Sequence, residues 1–369
     1  MDNSVVLSKR SSNILGLSAE SDKFICLDYL RIYACLLILW HHSHLFLSSP
    51  ELRAGIANRS QALALGVDLF FVISGFFISF IFEGRNRSWL SLGEFYRRRV
   101  SRLYPVHILS LLVASACWIF VSVVTNQQVS GIDTSLGCFA KAVVLSHGVV
   151  PCDGGMAPNG VSWSVSVEVS LYLLFPIVLT IASTARKSIL IFLVSFLAAV
   201  ALAHYTKLEW DELPGLPRAF PSFVLGICLF RYRDSLGKIS CPAALVPLLS
   251  VLVALLMQVG VHQLVVLMLV YILVASSVCV DARGERNALL YMVAPFGQLT
   301  YSIYMWHSIV TVFFLNALLD KVLGVAGGVM YLGFVISWAI VIAIALASYA
   351  LVEVPARKFI NDLGAGGGR

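Results

Sequence analysis

The chain has 369 residues, of which 59% are hydrophobic and 12% are charged, and its formal net charge is +6. Soluble domains are about 45–50% apolar and roughly 25% charged, so this composition excludes an ordinary soluble protein and predicts a polytopic membrane protein. The basic residues gather in short loops between apolar runs, where they orient a membrane protein. Because no basic soluble module stands apart from these runs, we expect no nucleic-acid partner.

Ten apolar windows are long enough for membrane helices, since about 20 residues cross the ~30 Å hydrocarbon core. They predict an all-α polytopic bundle of about ten transmembrane helices at 25–47, 62–83, 104–125, 161–183, 187–204, 217–232, 242–260, 262–280, 295–318 and 327–352. Almost no loop separates the two windows beside Gly260, and Pro217 and Pro221 predict a broken or tilted sixth helix. The predicted organisation is an N-terminal tail at 1–24, a transmembrane domain at 25–354 and a C-terminal tail at 355–369.

Loop charge predicts the orientation. With ten spans, both termini lie on one side, where the loops and tails carry 19 Lys and Arg residues against six on the other side. The positive-inside rule therefore predicts a multi-pass protein of the cell inner membrane with both termini cytoplasmic. Cys138 and Cys152 lie in the largest outward loop, and a disulfide between them is a hypothesis for an oxidising compartment.

The first window contains DYLRIYACLLILWHH, whose ionisable side chains hydrocarbon penalises by about 2.5–3.5 kcal/mol each. At 100° per residue, Arg31 and His42 share a face about 16 Å apart along the helix, whereas His41 and His44 point away. One interpretation is an interfacial Asp28–Arg31 ion pair and a His42 that packs between helices. The other is a functional site in which His42 is a general base, because imidazole exchanges protons near neutral pH.

The third window is preceded by FYRRRVSRLYP, which carries four arginines. Arg99 and Arg102 are three residues apart and share a face if this stretch is helical. Together with Arg98, such a pair suits a phosphate-bearing ligand, although topogenic charge alone also explains it.

The outward ends of two further windows hold polar candidates. Asp68 opens the second window, and Glu168 follows Ser164 six residues into SWSVSVEVSLYLLFP, where it is poorly placed to reach water. We predict a substrate contact for Asp68 and Ser164 and a catalytic role for Glu168. Gly75, in mid-window, either has a function or lets a neighbouring helix approach closely.

The ninth window contains TYSIYMWHSIV, with Tyr301 and His307 two turns apart. We predict that both contact the substrate, and that Trp306 belongs to an interfacial aromatic belt. Glu353, at the end of the last window, is expected to form a structural ion pair with Arg31 or with an arginine of the 97–102 cluster.

Six stretches occur in a fixed order: LDYLR followed by the histidine, GVDLFFVISGF, FYRRRVSRLYP, SWSVSVEVSLYLLFP, YSIYMWH and LVEVP. In this order the chain resembles the integral-membrane acyltransferase family 3 from about residue 26 to 358. Members of that family move acetyl and other short acyl groups onto hydroxyls, mostly of cell-envelope or secreted glycans.

The resemblance implies roles by position. The arginine–histidine signature of the family falls on Arg31 and His42, and its Arg-x-x-Arg signature, associated with the acyl-coenzyme A donor, falls on Arg99 and Arg102. Its acidic residue falls on Glu168. Many relatives have a second acidic residue next to it, where this chain has Val169, so the resemblance implies no mechanism that uses two acids here.

The expectation is a membrane-bound O-acetyltransferase that moves an acetyl group from cytoplasmic acetyl-CoA to a hydroxyl of an extracytoplasmic or lipid-linked saccharide, such as an exopolysaccharide or O-antigen. His42 would be the general base or a transient acyl carrier, Asp28 and Arg31 would orient donor and helix, and Glu168 would position the sugar. The expected partners are the saccharide acceptor, the lipid bilayer and polysaccharide-assembly proteins.

Acetyl-CoA is the one cofactor implied, because the sequence has no metal-spaced Cys/His cluster and no nucleotide-binding glycine loop. Two alternatives stay open. One changes the acceptor to a small secreted metabolite such as a macrolide. The other is an exporter of a glycan or metabolite, although the paired halves with broken helices that are common in transporters are not visible.

Overall fold

A computed structural model of the protein describes residues 24–365 except 48–49, 84–88, 127–129, 286 and 326. The described residues form fourteen α-helices and no β-strand, which confirms the predicted all-α class. The helices are α1 Ile25–Ser43, α2 Pro50–Arg59, α3 Gly66–Glu83, α4 Trp89–Thr125, α5 Leu136–Val143, α6 Trp163–Ile181, α7 Ala185–Thr206, α8 Gly215–Leu236, α9 Leu245–Gln258, α10 Gln263–Arg283, α11 Ala288–Val293, α12 Thr300–Val310, α13 Gly328–Ser348 and α14 Val354–Ala365.

Eight helical stretches in this part of the chain are long and apolar enough to cross a membrane, so the protein is a polytopic helical membrane protein. Each of the ten predicted windows overlaps a helix, but two of these helices differ from the other eight. The α8 helix has 22 residues and carries several polar side chains. The α9 helix has 14 residues, about 21 Å, which is shorter than the hydrocarbon core.

Local geometry explains where the predicted boundaries are wrong. The α4 helix begins at Trp89 rather than near 104 and continues through Pro105, so the arginine cluster is itself helical. The charged turns of this helix lie outside the apolar window that a hydropathy scan detects. The α9 and α10 helices are separated by a short turn in which Gly260 has φ +80°, a left-handed conformation that favours glycine.

Two π-helical segments extend the last transmembrane stretches. Thr311–Val322 continues α12, and Tyr349–Glu353 joins α13 to α14. Short π-helical turns often lie at functional sites. Here the second segment directs Glu353 inward, where the side chain is 1% exposed and its Oε2 accepts a hydrogen bond from Ser302 Oγ at 3.0 Å.

Helices α3 and α8 cross in direct backbone contact. A Cβ placed on Gly75 would lie 2.0 Å from the carbonyl oxygen of Phe223, and one on Gly226 would lie 2.1 Å from that of Val72. Small residues allow this approach between membrane helices. Of the two interpretations of Gly75, the structure therefore supports close packing.

We expect Gly226→Ala to destabilise the bundle by about 1–3 kcal/mol or more, because the methyl group would push apart two backbones that cannot yield locally. The apparent melting temperature of the purified protein in detergent measures this. Gly93→Ala is the matched control, since Gly93 lies in α4 and a Cβ added there would meet no atom within 4 Å. Alanine there should be neutral or stabilising. Equal melting temperatures for both variants would contradict the packing argument.

A disulfide closes the loop that follows α4. Cys138 and Cys152 are bonded, with their Cα atoms 5.1 Å apart. Nearby, the carboxylate of Asp133 accepts hydrogen bonds from the backbone N–H groups of Ser135 at 2.8 Å and Gly154 at 2.9 Å. Hydrogen bonds from Ser135 and Gly154 lower the pKa of Asp133, because they favour its charged form. The disulfide-closed loop follows the C-terminal end of α4 and packs back against Leu111 in its middle, whereas the arginine cluster lies near its N-terminal end.

Candidate active site

Two adjoining cavities lie between the helices on the arginine-bearing half of the bundle. The inner cavity has a volume of about 100 Å³ and lies among α1, α3, α4, α6 and α12. The second, which we call the vestibule, has a volume of about 330 Å³. Arg31, Phe77, Arg99 and Arg102 line both cavities and form the throat between them. Side chains singled out in four separate stretches of the sequence meet in the inner cavity: Arg31, Arg99, Arg102, Ser164, Glu168 and Tyr301.

Glu168 is the carboxylate of the inner cavity. Its Oε1 accepts a hydrogen bond from Ser74 Oγ at 2.7 Å and another from the Tyr172 hydroxyl. The Ser74 and Tyr172 hydroxyls are also 2.8 Å apart, so the three side chains form one hydrogen-bonded cluster between α3 and α6. Two donors directed at one oxygen fix the position of the carboxyl group. Glu168 is therefore a pre-oriented hydrogen-bond acceptor facing the cavity.

Aromatic rings position the throat arginines. The guanidinium carbon of Arg31 lies 4.3 Å from the centre of the Phe77 ring, and that of Arg99 lies 5.1 Å from the centre of the Tyr172 ring. Such cation–π contacts orient a guanidinium without using up its N–H groups. Asp28 lies behind Arg31, fully buried, and its Oδ1 accepts a hydrogen bond from Arg31 Nη1 at 3.0 Å. The predicted Asp28–Arg31 ion pair is thus present within a cavity wall.

The histidines lie one turn beyond the inner cavity along α12. Tyr304, which lines the cavity, has its ring centre 5.5 Å from that of His307, and the His307 ring is centred 5.1 Å from that of His42. Arg31 lines the inner cavity together with Thr300 and Tyr301 of α12, and His42 lies beside His307 further along the same helix. His42 is exposed, whereas His307 is buried.

Hydrogen bonds distinguish His307 from His44, the other buried histidine of this cluster. His307 Nδ1 lies 2.6 Å from the carbonyl oxygen of Tyr304, which can only accept, so Nδ1 carries the proton and Nε2 presents a lone pair. That buried Nε2 has no partner among the described residues. In His44, both ring nitrogens are engaged, by the Trp40 carbonyl and by Ser60 Oγ. A buried lone pair beside the exposed His42 ring is suited to accept a hydrogen bond from a substrate.

Asp68 lies outside both cavities. Its Oδ2 is bound by Arg218 through Nε at 3.0 Å and Nη2 at 2.6 Å, and its Oδ1 accepts a hydrogen bond from Trp210 Nε1 at 3.0 Å. Both side chains of the ion pair are at most 2% exposed. This geometry gives Asp68 a structural role at the junction of α3 and α8, because Arg218 and Trp210 supply the hydrogen-bond donors to both of its carboxylate oxygens.

The remaining predicted residues lie near the cavities. Arg98 lines the vestibule and forms an ion pair with Glu94. Ser164 Oγ lies 2.7 Å from the Tyr304 hydroxyl, and the Tyr301 hydroxyl donates to the carbonyl of Leu103. The buried Glu353 accepts its hydrogen bond from Ser302 Oγ, and its ion pair with Arg31 or with an arginine of the 97–102 cluster stays a prediction.

Sequence reasoning missed Ser74, Tyr172 and Phe77. Ser74 and Phe77 lie in the apolar second window, and Tyr172 is four residues after Glu168. The i, i+4 spacing of Glu168 and Tyr172 is a signal that helical geometry could have provided. No local signal marks the other two, because their role depends on α3 packing against α6 and α1.

A sequence comparison identifies the family. The acyltransferase domain that defines acyltransferase family 3 matches residues 24–351, which include both cavities except for the α14 side of the vestibule. The chain belongs to acyltransferase family 3. It is therefore a membrane acyltransferase. No solved structure matches the chain.

Three curated proteins with different names illustrate what this chain is similar to. The O-acetyltransferase OatA of Staphylococcus aureus is 25% identical over 360 residues, 90% of this chain and 57% of OatA. An uncharacterised protein of Haemophilus influenzae is 27% identical over 206 residues, 52% of this chain and 84% of that protein. The acyltransferase MdmB of Streptomyces mycarofaciens is 23% identical over 150 residues, 40% of this chain and 37% of MdmB.

Proposed function

We propose that this family 3 acyltransferase moves an acetyl group from acetyl-CoA to a hydroxyl of an extracytoplasmic or lipid-linked saccharide. The observation that carries the proposal is the throat of Arg31, Arg99 and Arg102, which joins a cavity holding Glu168 to an open vestibule. Guanidinium groups bind phosphate oxygens in bidentate fashion, so this throat suits the diphosphate of the donor. The 90% coverage by the alignment to OatA favours O-acetyl transfer over export.

Distance along α1 supports the same arrangement. Eleven residues separate Arg31 from His42, about 16 Å at the helical rise of 1.5 Å per residue. The pantetheine arm of the donor is comparable in length to four or five extended residues, roughly 15 Å. A donor whose diphosphate binds the throat would therefore present its thioester at the depth of His42.

In the proposed reaction, His42 accepts the proton of the acceptor hydroxyl while the hydroxyl oxygen attacks the thioester carbonyl. The new C–O bond forms, the C–S bond breaks, and the thiolate takes the proton from the imidazolium, which yields the acetyl ester and free CoA. His307 Nε2, which presents its lone pair beside His42, would accept a hydrogen bond from the substrate. In the alternative route His42 carries the acetyl group briefly and the hydroxyl attacks second.

The orientation of the protein is part of the proposal. We place the arginine-rich loops in the cytoplasm by the positive-inside rule, so that the vestibule opens towards cytoplasmic acetyl-CoA. The disulfide-closed loop, which follows the other end of α4 in the chain, would then lie outside, where disulfides persist. Such a protein would reside in the cell inner membrane, near polysaccharide-assembly proteins that supply its acceptor.

The test is an assay of the full-length protein in lipid nanodiscs with acetyl-CoA labelled in the acetyl group. We expect release of free CoA and transfer of the label to a saccharide acceptor from the same cells. Label that moves instead to a small secreted metabolite would assign that acceptor class. Absence of any acetyl-CoA consumption in the presence of total envelope glycan and metabolite extracts would overturn the proposal.

A further inference from the structure

The vestibule is a cationic cavity built from two parts of the chain that are far apart in sequence. The α4 helix contributes Arg98, Arg99 and Arg102, α1 contributes Arg31, and the C-terminal helix α14 contributes Arg357 and Asn361. None of the described lining residues is a carboxylate. Asp28 and Glu353 are almost completely buried, and Glu94, which forms an ion pair with Arg98, is not among the lining residues. The surface that the vestibule presents to a ligand is therefore strongly cationic.

The arginines divide into two groups by position. Three of them line both cavities and form the throat, whereas Arg98 and Arg357 line the vestibule alone. The guanidinium of Arg98 forms an ion pair with Glu94, four residues earlier on α4. Arg357 thus supplies a cation from a different helix at the rim of the vestibule, the part that lies away from the throat. The α14 helix contacts α4 there, because Ser101 Oγ donates a hydrogen bond to Asn361 Oδ1 at 3.4 Å.

Apolar rings complete the rim. Phe82 and Phe95 line the vestibule beside the arginines, with their ring centres 6.4 Å apart. Phe95 is buried, whereas Phe82 is half-buried and offers part of its ring to the vestibule. Arginines that bind phosphate beside an accessible aromatic ring are a combination that recognises nucleotides, because bases stack on aromatic faces.

We infer that Arg357 of the C-terminal helix binds the phosphomonoester on the ribose of the acyl donor, while the throat arginines bind its diphosphate. The inference rests on the proposed function, since it takes coenzyme A as the donor. With the thioester pointing inward past the throat, the nucleotide end must occupy the rim, and its additional phosphate lies within the part of the vestibule that α14 closes. The C-terminal helix is in this way a specificity element of the donor site.

The experiment compares coenzyme A with dephospho-coenzyme A, which lacks that phosphate, by calorimetric titration of the full chain in nanodiscs. We expect the wild type to bind coenzyme A about 10- to 100-fold more tightly, the range for one charge-assisted hydrogen-bonding contact. Arg357→Gln should lose this preference while its affinity for dephospho-coenzyme A stays unchanged, which also shows that the variant is folded. Arg357→Lys, which keeps the cation, should retain part of the preference.

Lys358→Gln is the matched control, because Lys358 is the next residue, has the same charge and is exposed outside the vestibule. It should keep the full preference. Equal affinity of the wild type for both ligands, or an equal loss for both in Arg357→Gln, would overturn the inference and leave the proposed donor standing. Failure of the wild type to bind either ligand would overturn the donor itself.

Discussion

His42→Ala is expected to lower the rate of acetyl transfer by about 10²- to 10⁴-fold, the contribution of a general base, while the amount of folded protein in the membrane stays unchanged. The stability of the protein should not change, because His42 is exposed and the aromatic rings beside its own are those of His41 and His307. The measurement is release of free CoA from acetyl-CoA by the purified variant, normalised to protein recovered as a single species by size-exclusion chromatography.

His41→Ala is the control for this prediction. His41 is the neighbouring residue and its ring centre lies 5.0 Å from that of His42, but His42 is the one whose ring reaches His307. We expect His41→Ala to keep most of the transfer rate. If His41→Ala abolished transfer and His42→Ala did not, the assignment of the active face of α1 would be wrong. A covalent label trapped on wild-type protein and absent from His42→Ala would favour the acyl-histidine route over direct transfer.

Asp68→Ala is expected to reduce the stability of the bundle by about 3–5 kcal/mol, because it leaves the buried guanidinium of Arg218 without its counter-charge. Arg218 is 1% exposed and also donates to the backbone carbonyls of Asp211 and Ala64, so it cannot turn to water. The apparent melting temperature and the monodisperse fraction in detergent report the loss.

The double variant Asp68→Ala with Arg218→Met distinguishes a structural role from a catalytic one. Removing both charges should restore part of the stability, since no uncompensated ion remains. A wild-type melting temperature for Asp68→Ala together with loss of transfer would instead return Asp68 to the substrate site.

Much of the candidate site follows from local helical geometry. The placement of Arg31 and His42 on one face needs only the 100° turn per residue and a continuous helix, which α1 provides from Ile25 to Ser43. The pairing of Arg99 with Arg102 likewise needs only that the cluster be helical, and α4 includes it. These are properties of neighbouring residues on one element, so a single sequence contains them.

The fate of Asp68 could not be predicted in the same way. A carboxylate at the end of an apolar span is compatible with a substrate contact or a buried ion pair, and its partner Arg218 lies 150 residues further along the chain. The two hydrogen-bond donors to Glu168 also differ in how far they could be predicted from the sequence. Tyr172 is one turn away on the same helix, whereas Ser74 comes from α3 and becomes a partner only when α3 packs against α6.

The amino-acid sequence by itself determined the membrane class, the apolar spans, the uneven distribution of arginines and the polar face of α1, because each depends on hydropathy and spacing along one helix. The tertiary structure decided which polar groups meet. In the structure Arg31, Arg99, Arg102 and Glu168 line one cavity, and Asp68 forms a buried ion pair with Arg218. Arg357 of the C-terminal helix lines the vestibule. Those outcomes depend on how distant helices pack, and packing is set by side-chain shape and burial across the whole bundle rather than by any local pattern.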